Sequence, residues 1–197
     1  MEQTYFRMKE NKAVVITAPS GAGKTTIAKA LRTAFSNLIF SVSSTTRNIR
    51  GQEIDGREYF FISPEEFGEM IKNDEFFEWE EVYQDRYYGT SKNELARISG
   101  LGGVALLDID VKGALKVKRE LGKNVLTLFV RPPSPEMKIL EDRIRFRNTE
   151  TEKEILTRLA KAEEELSFSN EFDVVILNDN LENAIHEACL KVGEFMK

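Results

Sequence analysis

The chain has 197 residues, and its 28 basic and 33 acidic side chains leave a net charge of −5. Hydrophobic residues make up 41% and charged residues 31%, which excludes a disordered chain and argues against an electrostatic binder of nucleic acid polymers. One Cys and one His cannot supply an intrachain disulfide or the usual structural zinc site, so a reducing, cytoplasmic setting is expected.

The chain opens on MEQTYFRMKENK, which lacks the apolar segment of a secretory signal, and nowhere does it approach the roughly 18 apolar residues of a membrane span. Ala13 to Ala18 is an apolar run stopped by Pro19, the pattern of a strand buried on both sides. Gly21 and Gly23 follow, and then Ile27, Ala28, Leu31, Ala34 and Phe35 recur at helical spacing over Thr25 to Phe35. Residues near 40 to 90 change character and carry more aromatics and turn signals. Asp55-Gly56 lies between two potential strands, the second being Glu58 to Ile62, and so predicts a hairpin turn. Ser63-Pro64-Glu65-Glu66 is a capping box with Pro at the first helical position, and Phe76 to Tyr83 reads as a strand. These segments form a small α+β insertion.

Strand–helix alternation then resumes. Val104 to Leu107 ends in Asp108 and precedes a helix carrying Leu115 and Val117. Val125 to Val130 stops at Arg131-Pro132-Pro133, and a helix starts after Ser134-Pro135. Arg143 to Thr151 is polar and Arg-rich, and Thr151 with Glu154 caps a long helix. Val174 to Leu177 is the last strand, before a helix with Leu181, Ile185, Ala188, Cys189 and Val192. The fold class is α/β, a parallel sheet with helices on both faces. His186 and Cys189 read as structural, Lys161 to Glu165 as a solvated charged face, and Phe76, Phe77 and Trp79 as insertion core.

Ala18-Pro19-Ser20-Gly21-Ala22-Gly23-Lys24-Thr25 lies between the first strand and its helix. Glycines let the backbone curl its N–H groups toward phosphate oxygens, and the helix N-terminus adds partial positive charge. Lys24 can reach the outer phosphates, and the Thr25 hydroxyl can ligate Mg²⁺. The G-x-x-x-x-G-K-[ST] pattern is missed only at Ala18, where its first Gly is expected. At the end of a later core strand, Leu106-Leu107-Asp108-Ile109-Asp110 offers an acid for the metal's water shell; taken alone, an acid there is equally a helix N-cap.

With these residues in view, the sequence resembles the guanylate kinases, a family of nucleoside-monophosphate kinases. The resemblance runs through APSGAGKTT, SVSSTTR (Ser41 to Arg47), Tyr59 in REYFF, Glu78 in FFEW, YYGTS (Tyr87 to Ser91), LLDID, RPPS (Arg131 to Ser134), the stretch 143–158 and VILND (Val175 to Asp179). It implies a P-loop three-layer sandwich with a five-stranded parallel core sheet, a GMP-binding insertion and a short lid. As a single domain the chain divides into a core of about 1–36, 92–140 and 159–197, an insertion of about 37–91 and a lid of about 141–158. The implied reaction moves the γ-phosphoryl group of ATP to GMP, giving GDP and ADP with Mg²⁺ required, in GTP supply and GMP recycling. ATP and GMP are then its partners, with dGMP as a further candidate acceptor, without nucleic acid or membrane, as monomer or homodimer.

Carried over by residue, the resemblance gives ATP to Ala18, Pro19, Ser20, Gly21, Ala22, Gly23, Lys24, Thr25 and Thr26, with Asn178 at the adenine. The GMP phosphate falls to Ser43, Arg47, Arg50, Tyr59 and Tyr88, a set of guanidinium forks and hydroxyl donors suited to a doubly charged group. The guanine falls to Glu78, Thr90 and Asp110, since a carboxylate can accept from guanine N1–H and the 2-amino group while adenine offers neither donor. Asp108 joins the GMP set and, through water, the metal with Thr25. Lys24, Arg143, Arg147 and Arg158 are the implied catalytic cations, acting on the charge of a metaphosphate-like transition state. Arg145 is left as a solvated base. Asn148 stands where the family usually has Gly, which puts the lid turn in question. The alternatives are a kinase for another nucleoside monophosphate and a catalytically silent phosphopeptide-binding module, against which intact Lys24, Thr25 and arginines argue. A GTPase would need an N-K-x-D tetrapeptide, and NDNL at 178–181 does not supply one.

Overall fold

A computed structural model describes residues 12–146 and 151–197 of the chain. Five strands form a parallel sheet in the order β2-β7-β1-β8-β9: β1 (Ala13–Thr17), β2 (Leu38–Phe40), β7 (Val104–Asp108), β8 (Val125–Arg131) and β9 (Val174–Leu177). All five residues of β1 are buried because the strand sits at the centre with a layer on each face. Its alternation assigns the layers. Val14 and Ile16 pack with Ile27 and Leu31 of α1 (Lys24–Ala34) and with Ala184, Ala188 and Val192 of the last helix. Ala13 and Val15 join Ile98, Ala114, Leu115 and Phe129 on the other face. Each fully buried Val, Ile or Leu contributes about 1.5–3 kcal/mol, so these two clusters carry the fold.

The remaining helices are α2 (Pro64–Lys72), α3 (Lys92–Gly100), α4 (Val111–Leu121), α5 (Glu136–Phe146), α6 (Glu152–Ser167) and α7 (Leu181–Met196). Both capping boxes read from the sequence form, at Ser63 with Glu66 and at Thr151 with Glu154. The insertion is a four-stranded sheet in the order β4-β3-β6-β5, built from β3 (Ser44–Thr45), β4 (Phe60–Phe61), β5 (Phe76–Tyr83) and β6 (Arg86–Ser91). Phe67 stacks on Phe76 with ring centroids 4.4 Å apart. Gly89 is required there, since a Cβ would come within 2.8 Å of the Phe76 ring.

Two expectations are corrected. Leu38–Phe40, assigned to the insertion by the boundary at residue 37, pairs with Val104–Leu106 and is the edge of the core sheet. Three residues are too few to show the two-sided apolar run that marks the other core strands. Asp55-Gly56 does not close a hairpin, because β3 and β4 run parallel. Gly56 instead has φ 74 and donates its N–H to Tyr59 O at 2.8 Å within the connecting loop. The true hairpin is β5–β6, where Asp85 at φ 58 turns the chain.

Candidate active site

β1, β7 and β8 end at the same edge of the sheet, beside the point where the chain crosses from one side of β1 to the other, and such crevices are where open α/β sheets bind ligands. The loop after β1 turns on Gly21 and Gly23, at φ 92 and 99. Gly23 is the N-cap of α1 and supplies no side-chain bond, whereas Ser63, Ser91, Asp110, Thr151 and Asn180 cap other helices with theirs. The start of α1 therefore meets no internal oxygen from its cap, which suits an anion. Behind the loop, the Asn178 amide donates to Ala22 O at 2.7 Å, and a Cβ on Gly23 would collide with that amide.

Lys24 leaves α1 toward Asp108 at the end of β7, with Nζ 2.5 Å from Oδ1 and 3.3 Å from Ile109 O. Burial alone would lower its pKa, but the Asp108 carboxylate outweighs this and holds the ammonium charged. Thr25 and Asp108 both line the same cavity. A hydroxyl and a carboxylate are the hard oxygen donors a Mg²⁺ ion with its water shell takes, so these residues fit the ion. Arg158 on α6 donates to Ser20 Oγ at 2.9 Å across the loop.

The cavity measures about 300 Å³ and runs from this loop to the four-stranded sheet. At its far end Glu78 is buried on β5, accepting from the Thr90 hydroxyl at 2.6 Å. Burial pushes its carboxyl up to about 7, with Asp110 adding to the effect and the Thr90 bond opposing it. Gly113 permits this approach, because a Cβ there would lie 2.7 Å from Glu78 Oε2. Asp110 takes the N-cap reading of its segment: Oδ1 caps α4 through Gly113 N–H at 3.0 Å, while the residue also lines the cavity. Between the ends stand Ser43, Arg47, Arg50, Tyr59 and Tyr88. Tyr59 and Tyr88 meet edge to face at 5.8 Å, and burial raises the Tyr59 pKa. Arg47 lies over the Tyr59 ring at 4.9 Å, gives Nη1 and Nη2 to Glu53 at 2.7 and 2.6 Å, and gives Nη1 to Asn48 O at 2.8 Å. Those bonds leave the Nε edge of the guanidinium for a ligand.

Most residues singled out from the sequence line this cavity, and four described ones do not. Ala22 packs its side chain into the core cluster behind the loop. Asn178, expected at the adenine, is buried and spends its amide on Ala22 O. Thr90 is wholly buried behind Glu78 and orients that carboxylate. Arg143 on α5 donates to carbonyls of the loop and of Asn178, at 3.4–3.5 Å. Arg147 and Asn148 lie outside the described residues. Arg145 is tied to Glu141 at 2.8 Å and to Glu152 at 2.7 Å. The cavity also takes in Val82, Tyr83, Lys161 and Glu165, which sequence reasoning missed. Lys161 to Glu165 is thus only partly a solvated face, since Ala162 and Glu165 are buried. The available signal was spacing: Arg158, Lys161 and Glu165 fall three and four residues apart and share one helix face.

Among the described residues no helix is long and apolar enough to cross a membrane. The family model "Guanylate kinase" matches residues 10–195. The guanylate kinase of Bacteroides fragilis is 45% identical over 193 residues, covering 98% of this chain and 94% of its own. That of Salinibacter ruber is 45% identical over 189 residues, covering 96% and 99%. The crystal structure of guanylate kinase from Anaplasma phagocytophilum matches with a TM-score of 0.74 at 31% identity, over 95% of this chain and 87% of that one.

Proposed function

The chain belongs to the guanylate kinase family and is an ATP-dependent guanylate kinase; we propose that GMP accepts the γ-phosphoryl group of ATP inside the cavity between the phosphate loop and the four-stranded sheet. The observation that carries this placement is the pairing of a phosphate loop at one end with the buried Glu78 carboxylate at the other. A nucleotide base of the right hydrogen-bonding pattern and a nucleotide phosphate chain are the two things these ends suit.

On this reading Ser20 to Thr26 hold the ATP phosphates through main-chain N–H groups, and Lys24 follows the charge of the group in transfer. Ser43, Arg47, Arg50, Tyr59 and Tyr88 fix the GMP phosphate, with the Nε edge of Arg47 as its bidentate donor. Glu78 and Asp110 accept from the guanine N–H groups, and Thr90 keeps Glu78 aimed. Arg158 and, after a movement of α5, Arg143 and Arg147 converge on the transferring oxygens, which bear the developing charge. Thr25 and, through water, Asp108 would hold Mg²⁺, which when bound neutralises phosphate charge. Closing the insertion over both nucleotides keeps water from the reacting phosphate. We place the enzyme in the cytoplasm, where its single Cys stays reduced.

The test is ADP formation with Mg-ATP and GMP, AMP, UMP, CMP or no acceptor. GMP alone should stimulate, and EDTA should abolish the stimulation. Equal stimulation by a second monophosphate would remove the guanine-reading role from Glu78 and Asp110.

A further inference from the structure

Arg158, Lys161 and Glu165 all reach the cavity from α6, yet only Arg158 has a part in the reading above. Lys161 reaches two further elements. Its Nζ donates to Val82 O at 3.1 Å and stands 5.1 Å from the centre of the Tyr83 ring. The same ammonium is 3.8 Å from Asp110 Oδ2 and 3.6 Å from Glu165 Oε1. One side chain therefore joins α6, the end of β5 and the turn that opens α4.

The bond to Val82 depends on an irregularity. β5 pairs with β6 at Glu81↔Tyr87 and Tyr83↔Arg86, and the register shifts between them. A bulge of this kind takes one residue out of the ladder. Val82 is that residue, and its carbonyl is the one Lys161 meets. Val82 lies four residues along the same strand from Glu78, so holding its carbonyl fixes the strand that presents Glu78 to the cavity.

The carboxylates make the second half of the argument. Asp110 Oδ1 is committed to the α4 cap, which leaves Oδ2 as the oxygen open to a ligand. Lys161 stands beside Oδ2 at a distance that attracts the charge without replacing a ligand's hydrogen bond. Glu165 is faced by Lys161 on its own helix, Lys24 on α1 and Asp110 before α4; burial pushes its carboxyl up to about 7, and the two lysines oppose that rise. Lys24 is already paired with Asp108. Lys161 is the cation placed between the other two acids.

We propose that Lys161 is a positioning residue of the GMP subsite, tying the Glu78-bearing strand to α6 through Val82 and orienting Asp110 so that both carboxylates meet one base. This rests on the assignment of GMP to the Glu78 end of the cavity. It acts on acceptor binding, because none of its contacts is with the phosphate loop.

Steady-state kinetics of wild type, Lys161→Met and Lys161→Arg, with GMP and ATP varied separately, test it. Lys161→Met keeps most of the aliphatic stem and should raise KM for GMP about tenfold or more, with KM for ATP within about twofold. Lys161→Arg should restore most of the loss, since it keeps the charge and a donor. Lys161→Gln serves as a second removal of charge, with the same split expected. An unchanged KM for GMP in both the Met and Gln variants, or a rise shared equally with KM for ATP, would overturn the proposal. A wild-type enzyme without GMP preference would instead overturn the placement of GMP, and this inference with it.

Discussion

From Ala18 to Thr26 the chain offers a ligand mostly backbone, whereas from Ser43 to Thr90 it offers mostly side chains. The loop is shaped by Gly21 and Gly23 at positive φ and braced from behind by the Asn178 amide. Its one long side chain, Lys24, is held charged by Asp108. The insertion works with buried and stacked groups: Glu78 under the Thr90 hydroxyl, and Arg47 between Glu53 and two aromatic rings at 4.9 and 5.4 Å. A backbone site is indifferent to most side-chain replacements and reads a phosphate common to every nucleotide. A buried carboxylate carries a desolvation cost and can tell one base from another. Changes at the loop should therefore fall on the transfer step, and changes at the insertion on acceptor choice.

The largest effect that could break this division is at Lys24. Lys24→Ala should lower kcat by about 10³-fold or more, while KM for GMP moves little. A kcat near wild type, with GMP binding lost instead, would mean that the two ends are not separable. Next is Glu78→Gln, which keeps an acceptor for Thr90 but adds a donor toward the base. kcat/KM for GMP should fall about 10²-fold, and the preference over AMP should shrink with it. The same variant should be more stable at pH 8 by on the order of 2 kcal/mol, because an ionised buried carboxylate is removed. Chemical denaturation at that pH measures the gain, and a loss of stability would contradict the burial argument.

The same contrast explains what the sequence disclosed. The parallel core was legible because two-sided burial forces almost unbroken apolar runs such as Ala13 to Ala18 and Val125 to Val130. Lys24 and the glycines were legible because phosphate binding needs them at fixed offsets within one turn. β2 was not, since an edge strand of three residues leaves no pattern. The insertion's roles came only through family resemblance, because Glu78, Thr90 and Asp110 lie on three segments that no local spacing connects. Asn178 matches a family position, and nothing in the sequence signalled that one of its amide N–H groups braces the loop's own carbonyl. Lys161 and Glu165 were masked by neighbours, as Glu163 and Glu164 on the exposed side make the whole run look solvated.

The smallest effect, and the one that sharpens the comparison most, is in pH. Glu78 keeps its proton up to about 7 in the folded chain against an ordinary 4.5, with burial as the main cause and Asp110 and Lys116 as the charged groups facing it. Between those values the folded state binds more protons than the unfolded one, so the contribution of Glu78 to stability declines as pH rises through the window. Binding has the opposite sign. Only the ionised carboxylate accepts from both guanine N–H groups, so KM for GMP should fall as pH rises toward 7 and level off above it. The limiting slope is about tenfold per unit below the pKa. The GMP phosphate itself titrates near pH 6, as phosphate monoesters do, and contributes its own slope at the other end of the acceptor. Glu78→Gln retains the phosphate slope and any slope from Glu165, whose carboxyl in the same cavity is also pushed up by burial to about 7. The difference between the two profiles therefore isolates Glu78. Superimposable profiles would mean that Glu78 does not change charge in the working range. Glu78 would then be ionised throughout that range, and its part in discrimination would be read from the loss of GMP preference in Glu78→Gln alone.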